Sequence, residues 1–188
     1  PAVAERFAEE IGLDEPVGQT GSLGGKAYQI SALRLAGDTL MACGSGGEFF
    51  VLRRQPDGTF SKLPARVRGS HWAGTVAPDG QTVFLSDQEV VSSIEVGRKK
   101  LSKPKEFFKA PRQVRLLAVS PDAASLLVMT AGSLMVVDGT GSILWKRKHP
   151  EIGSAAGWHP SGNSVAVACG PSLCWLDAGS GKSVGELP

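Results

Sequence analysis

The segment RLLAVSPDAASLLVMTAGSLMVVDGTGSILW, Arg115 to Trp145, divides into four short apolar runs separated by turn residues. Leu116 to Val119 is stopped by Ser120-Pro121-Asp122. Leu126 to Val128, Leu134 to Val137 and Ile143 to Trp145 follow, each bounded by Gly, Ser, Asp or Pro. A helix needs about ten residues to bury a useful face, so runs this short predict strands. Gly139 and Gly141 supply the permissive backbone that a tight reversal needs.

The same plan recurs along the chain. Pro78-Asp79-Gly80, Pro121-Asp122-Ala123 and Pro160-Ser161-Gly162 each end an apolar run, and Ala36-Gly37 holds the equivalent place in a first unit. From Gly37 to Gly80 to Ala123 to Gly162 the steps are 43, 43 and 39 residues. Leu40, Val83, Leu126 and Val165 form one apolar column, and Ala42, Leu85, Val128 and Val167 form another two positions on. A two-residue apolar rhythm with a period of about 40 residues predicts propeller blades, each a four-stranded sheet. The expected fold is all-β: a β-propeller of four consecutive blades spanning about 28–69, 70–110, 111–149 and 150–188. Asp79 and Asp122 are expected to accept backbone N–H bonds within their turns.

These turns, followed by an apolar strand and then by Asp138 or Asp177 before a Gly turn, resemble WD40-type β-propeller repeats. The resemblance covers about 160 of the 188 residues. No unit carries the Trp-Asp dipeptide; Val137-Asp138 and Leu176-Asp177 come nearest, and Gly69-Ser70-His71 approaches the usual Gly-His opening. The D-x-x-G-x-x-x-W spacing from Asp138 to Trp145 is similar to the quinoprotein-like propeller repeat, the competing label. A blade face of four strands covers roughly 300 Å². An open half-ring would expose two such faces, near the upper range for a soluble monomer. Either four blades close a ring, or further blades complete it from additional chain or a second copy. The resemblance implies the latter, a larger ring.

Residues 1–27 precede the repeats. Val3, Phe7 and Ile11 at four-residue spacing, with Gly12 as a stop, predict a short N-terminal helix capping the propeller or docking a partner. Val17 to Gly25 reads as a linker. Starting at Pro1, the sequence is expected to be a fragment or processed product. A hydrophobic content of 41%, with 24 Gly and 12 Pro, suits a turn-rich β protein with a sizeable core. The net charge of +2 is too small to argue for nucleic acid. No apolar run approaches the ~18 residues of a membrane span, and no signal-peptide pattern opens the chain.

Motifs suggestive of catalysis lack their required context. Ala178 to Ser183 (AGSGKS) resembles the end of a phosphate-binding loop, but Leu176 stands where its first Gly belongs, and a hairpin is expected there. Cys169 and Cys174, with His159 nearby, match no zinc spacing; the cysteines read as buried or strand residues, with a cross-strand disulfide across the Gly170-Pro171 turn as the alternative. Gly44-Ser45-Gly46 lacks the nucleophile-elbow frame. The expectation is a chain without catalytic, cofactor-binding or metal residues. Cys43 has no evident mate, which favours a reducing, cytoplasmic setting.

Two candidate recognition surfaces are left. Arg98, Lys99, Lys100, Lys103 and Lys105 form a basic patch, continued by Lys109, Arg112 and Arg115. It suits an acidic protein partner, with RNA or lipid headgroups as alternatives. At the starts of the innermost strands, Tyr28, His71, Val114 and Gly153 fall in one column and Gln29, Trp72, Arg115 and Ser154 in the next. These positions vary where scaffold columns agree, and Trp, Tyr and Arg are enriched at interface hot spots. Tyr28, Gln29, His71, Trp72, Arg112 and Arg115 are therefore the candidate partner-binding residues of a non-enzymatic scaffold for protein assembly. The alternative is the propeller portion of an enzyme, binding a quinone-type cofactor or gating a hydrolase domain.

Overall fold

A computed structural model describes residues 30–44, 49–64, 71–148 and 152–187. The region of the expected N-terminal helix lies outside them. The described chain is all-β, in four four-stranded antiparallel sheets formed in strict sequence order. Sheet 1 holds β1 (Ile30–Ala36), β2 (Thr39–Gly44), β3 (Phe49–Arg54) and β4 (Phe60–Lys62). Sheet 2 holds β5 (His71–Val76), β6 (Thr82–Asp87), β7 (Val90–Glu95) and β8 (Lys105–Lys109). Sheet 3 holds β9 (Val114–Val119), β10 (Ser125–Thr130), β11 (Ser133–Asp138) and β12 (Ile143–Lys148). Sheet 4 holds β13 (Ile152–Trp158), β14 (Ser164–Cys169), β15 (Ser172–Asp177) and β16 (Ser183–Leu187).

The turn column read from the sequence is a column of backbone conformation. Gly37, Gly80, Ala123 and Gly162 have φ of 54°, 68°, 60° and 75°, all left-handed. Asp79 and Asp122 act as the sequence suggests: Asp79 Oδ1 accepts the Gln81 N–H at 2.8 Å and Asp122 Oδ1 that of Ala124 at 3.0 Å. Ala123 alone in this column carries a Cβ, which in the left-handed region costs about 1–2 kcal/mol. Ala123→Gly removes that cost while loosening the unfolded chain, so it is expected to raise stability by about 0.5 kcal/mol. Urea denaturation checks this, and an unchanged or lower midpoint speaks against it.

Two apolar faces per strand explain how the sheets stack. In β10, Leu126 and Val128 face sheet 2 with Met135 and Val137, while Leu127 and Met129 face sheet 4 with Leu134 and Val136. Both sets are buried, so the run is continuously apolar instead of alternating with polar residues. Each such side chain contributes about 1.5–3 kcal/mol by leaving water. Among the described residues three buried clusters join neighbours: Met41, Val51, Val83 and Ile94 between sheets 1 and 2, Val91, Phe108, Val114 and Leu117 between sheets 2 and 3, and Trp145, Val165 and Leu176 with their neighbours between sheets 3 and 4. First strands carry the closest approach, β5 against β1 and β2, β9 against β5, and β13 against β9.

Each joint also contains a left-handed glycine with no room for a side chain. A Cβ on Gly80 would stand 2.6 Å from the Ala36 carbonyl oxygen in sheet 1. One on Gly141 would run into the Phe107 carbonyl oxygen of sheet 2, and one on Gly181 would lie 2.6 Å from the Trp145 ring of sheet 3. Side-chain hydrogen bonds cross the first and third of these joints. Thr39 Oγ1 donates to Gly80 O at 2.8 Å, Trp145 Nε1 to Ala178 O at 2.6 Å, and Trp158 Nε1 to Ala118 O at 2.9 Å.

The series ends on an uncovered face. Register makes Ala166, Ala168, Leu173 and Trp175 the counterparts of Leu127, Met129, Leu134 and Val136. The sheet 3 residues are fully buried by sheet 4, whereas none of the four on sheet 4 is buried. Leu173, Leu187 and Val184 are 37%, 54% and 64% exposed. Among the described residues, no comparable packing joins sheet 4 to sheet 1.

Candidate functional site

In every sheet, the first strand begins at the same end as the hairpin joining its second and third strands. Candidate partner-binding residues gather at this end. His71 opens β5 and pairs with Asp87; Trp72 is the unpaired bulge residue before Ala73 pairs with Ser86. In β9 the ladder shifts in the same way between Val114 and Leu116, leaving exposed Arg115 in the bulge. Trp72 and Arg115 therefore hold matching register positions on adjacent first strands. Tyr28 and Gln29 lie outside the described residues.

Register also corrects the column drawn through unit one. The Gly37-Asp38 reversal joins Ala36 directly to Thr39, two residues tighter than the turn from Ala77 to Thr82. Ile30 and Ser31, not Tyr28 and Gln29, therefore take the places of His71 and Trp72: Ile30 pairs with Gly44, and the ladder shifts before Ala32 pairs with Cys43.

The basic run does not form one patch. Arg98, Lys99, Lys100 and Lys103 lie exposed in the connection from β7 to β8, tied by the Val96–Leu101 bridge, and Lys105 starts β8. Strand β8 then carries the chain across the sheet. Five residues at ~3.3 Å each put Arg112 roughly 16 Å away at the other end. There Arg112 meets residues the sequence reading did not associate with it. A cleft of about 260 Å³ between sheets 2 and 3 is lined by Arg112, Lys146, Lys148 and Ser133, with Pro111 and the Ala131-Gly132 turn. Phe107 and Phe108 pack as strand residues; Phe107 meets Phe84 edge-on at 5.1 Å.

Perturbed titratable groups belong to the scaffold. Hydrogen bonds from the Thr140 hydroxyl, then from the Ser142 and Thr140 N–H groups, hold the Asp138 carboxyl below its ordinary 3.8. Ser180 does the same for Asp177, Thr59 for Asp57 and Ser120 for Asp122. All four carboxylates cap turns. The Asp177 turn contains Ala178 to Ser180, so the segment resembling a phosphate loop is a hairpin between β15 and β16. Burial pushes the Cys43 thiol up to about 11 and, with Cys174 beside it, the Cys169 thiol to about 11. Thiols held protonated in this way are poor nucleophiles. Cys169 and Cys174 form no disulfide. His159 accepts or shares a proton with Ser161 at 2.8 Å within its turn and meets the Trp175 ring edge-on.

Among the described residues no group of three His, Cys, Asp or Glu side chains is placed to hold a metal ion, and no helix is long and apolar enough to cross a membrane. No protein-family model matches the chain, and no curated protein matches it at a significant level.

Proposed function

We propose that this chain is a run of four blades of a divergent WD40-like β-propeller, residues 28–188, serving as a non-enzymatic platform for protein assembly. Sequential four-stranded sheets, packed through their first strands, support the propeller reading. The uncovered outer columns of sheet 4 support completion of a larger ring by further blades. Trp145, the residue carrying the competing quinoprotein-like resemblance, donates its indole N–H to Ala178 O in the turn between β15 and β16.

The observation that carries the platform reading is the shared bulge of Trp72 and Arg115. Scaffold columns repeat between sheets, whereas this position changes from Ser31 to Trp72 to Arg115 on neighbouring strands. A tryptophan and a guanidinium at adjoining strand starts offer contact area and directed hydrogen bonds. The mobile lysines at the far end of sheet 2 would lose much rotamer entropy on binding. Truncating Trp72 to Ala is expected to weaken the partner by about 2 kcal/mol or more. Lys99→Ala/Lys100→Ala is expected mainly to slow association and flatten its salt dependence. The test is quantitative affinity capture with the native chain and both variants at two ionic strengths, followed by titration of the retained protein. A larger loss from the lysine pair at high salt would move the contact to the basic loop.

A further inference from the structure

We propose that the cleft between sheets 2 and 3 is an anion site for a phosphate monoester or phosphate dianion, held by Arg112, Lys146, Lys148 and Ser133. Three cations line one cleft of about 260 Å³, and no carboxylate lines it among the described residues. Lys146 and Lys148 pair with Met135 and Ser133, which puts both on the strand face turned toward sheet 2. Arg112 approaches from the connection leaving β8, so the charge comes from both walls. None of the three forms an ion pair or hydrogen bond within the described protein. Arg53 and Arg147, by contrast, each donate to a carbonyl of a neighbouring sheet, Val96 O at 3.3 Å and Gly181 O at 3.1 Å. Like charges gathered in one cleft repel, and an anion between them relieves that repulsion while gaining charge-assisted hydrogen bonds.

The cleft also offers a fixed hydroxyl. Ser133 is only 6% exposed, and its Oγ lies 2.7 Å from Thr130 Oγ1. Thr130 Oγ1 also donates to the Ser133 carbonyl oxygen at 3.4 Å. Either hydroxyl can donate in the contact between them, so an arriving anion takes the Ser133 proton as a hydrogen bond while Thr130 turns its own toward Ser133 Oγ. A guanidinium fork, two ammonium groups and one hydroxyl suit a dianion with three terminal oxygens better than a carboxylate with two. Two sources present that chemistry, a free phosphate and a phosphorylated side chain of a partner protein. The site goes beyond the platform reading, which rests on Trp72 and Arg115; failure of one leaves the other standing.

The experiment titrates inorganic phosphate, then a phosphoserine heptapeptide and its unphosphorylated form, into the 188-residue chain, following the Gly132 and Ser133 amide resonances. Saturable shifts with both phosphorylated probes are expected, and none with the plain peptide. Lys146→Ala/Lys148→Ala, at exposed strand positions, is expected to weaken binding at least tenfold. Lys99→Ala/Lys100→Ala at the opposite end should change it less than twofold. Tighter binding of the phosphopeptide than of inorganic phosphate assigns the site to a modified partner, and equal or weaker binding assigns it to the free anion. Absence of saturable shifts with both probes, or equal losses in the two lysine variants, overturns the proposal.

Discussion

Replacing Trp145 by Ala is expected to lower stability by about 3–5 kcal/mol, the scale for deleting a buried aromatic side chain. Its ring is 8% exposed, belongs to the cluster joining sheets 3 and 4, and covers Gly181 so closely that no Cβ fits there. Its indole N–H also donates to Ala178 O at 2.6 Å. The loss thus falls on a joint between repeats instead of within one sheet. Stacked repeats add nearest-neighbour interface terms, so sheet 4 should be released first. Amide exchange in β13–β16 should quicken more than in β5–β8, alongside a lower denaturation midpoint. Uniform acceleration across all four sheets would mean that the joint is not a separable unit.

Gly141→Ala is expected to cost about 3 kcal/mol, whereas Gly132→Ala costs about 1–2 kcal/mol. Both glycines sit in hairpins of sheet 3 with left-handed φ, 86° and 82°. They differ in surroundings. A Cβ at Gly132 meets nothing within 4 Å, while one at Gly141 collides with the Phe107 carbonyl oxygen of sheet 2, a backbone atom that cannot swing aside. Backbone strain is common to both substitutions, so their difference isolates the contact between sheets. Paired denaturation curves measure it. Equal losses would leave only the strain of the turn and remove the joint from the account.

Repetition made most of the scaffold legible. A turn column spaced at about 40 residues demanded one backbone conformation four times, and all four residues adopt it, Ala123 included. Strand faces were legible for the same reason, since Leu126 and Val128 repeat Val83 and Leu85 with a period-two pattern. Unit one misled because column counting assumes turns of equal length. Nothing in Ala36-Gly37-Asp38 announces that its reversal is two residues shorter, and only the pairing of Ala36 with Thr39 reveals it. The basic run beyond Lys105 was harder to place from sequence. Eight cations close in sequence look like one patch until β8 carries the chain to the far end of the sheet. Lys146 and Lys148 were not associated with Arg112 because more than 30 residues separate them, and what brings them together is the packing of sheet 3 on sheet 2. A signal was present: in ILWKRK, alternation puts Lys146 and Lys148 on one strand face and Trp145 and Arg147 on the other.

Sedimentation velocity of the 188-residue chain over a range of concentrations, beside a Leu173→Lys/Leu187→Lys variant, tests the central claim most directly. That claim is an open series of four-stranded sheets whose last face is left uncovered. Leu173 and Leu187 pair across β15 and β16 on the uncovered face, so the lysines should not disturb the inner core. The expected result is a sedimentation coefficient that rises with concentration for the native chain and stays constant for the variant, with unchanged circular dichroism. A native chain that sediments as a compact, non-associating monomer with a single cooperative melt would contradict the account.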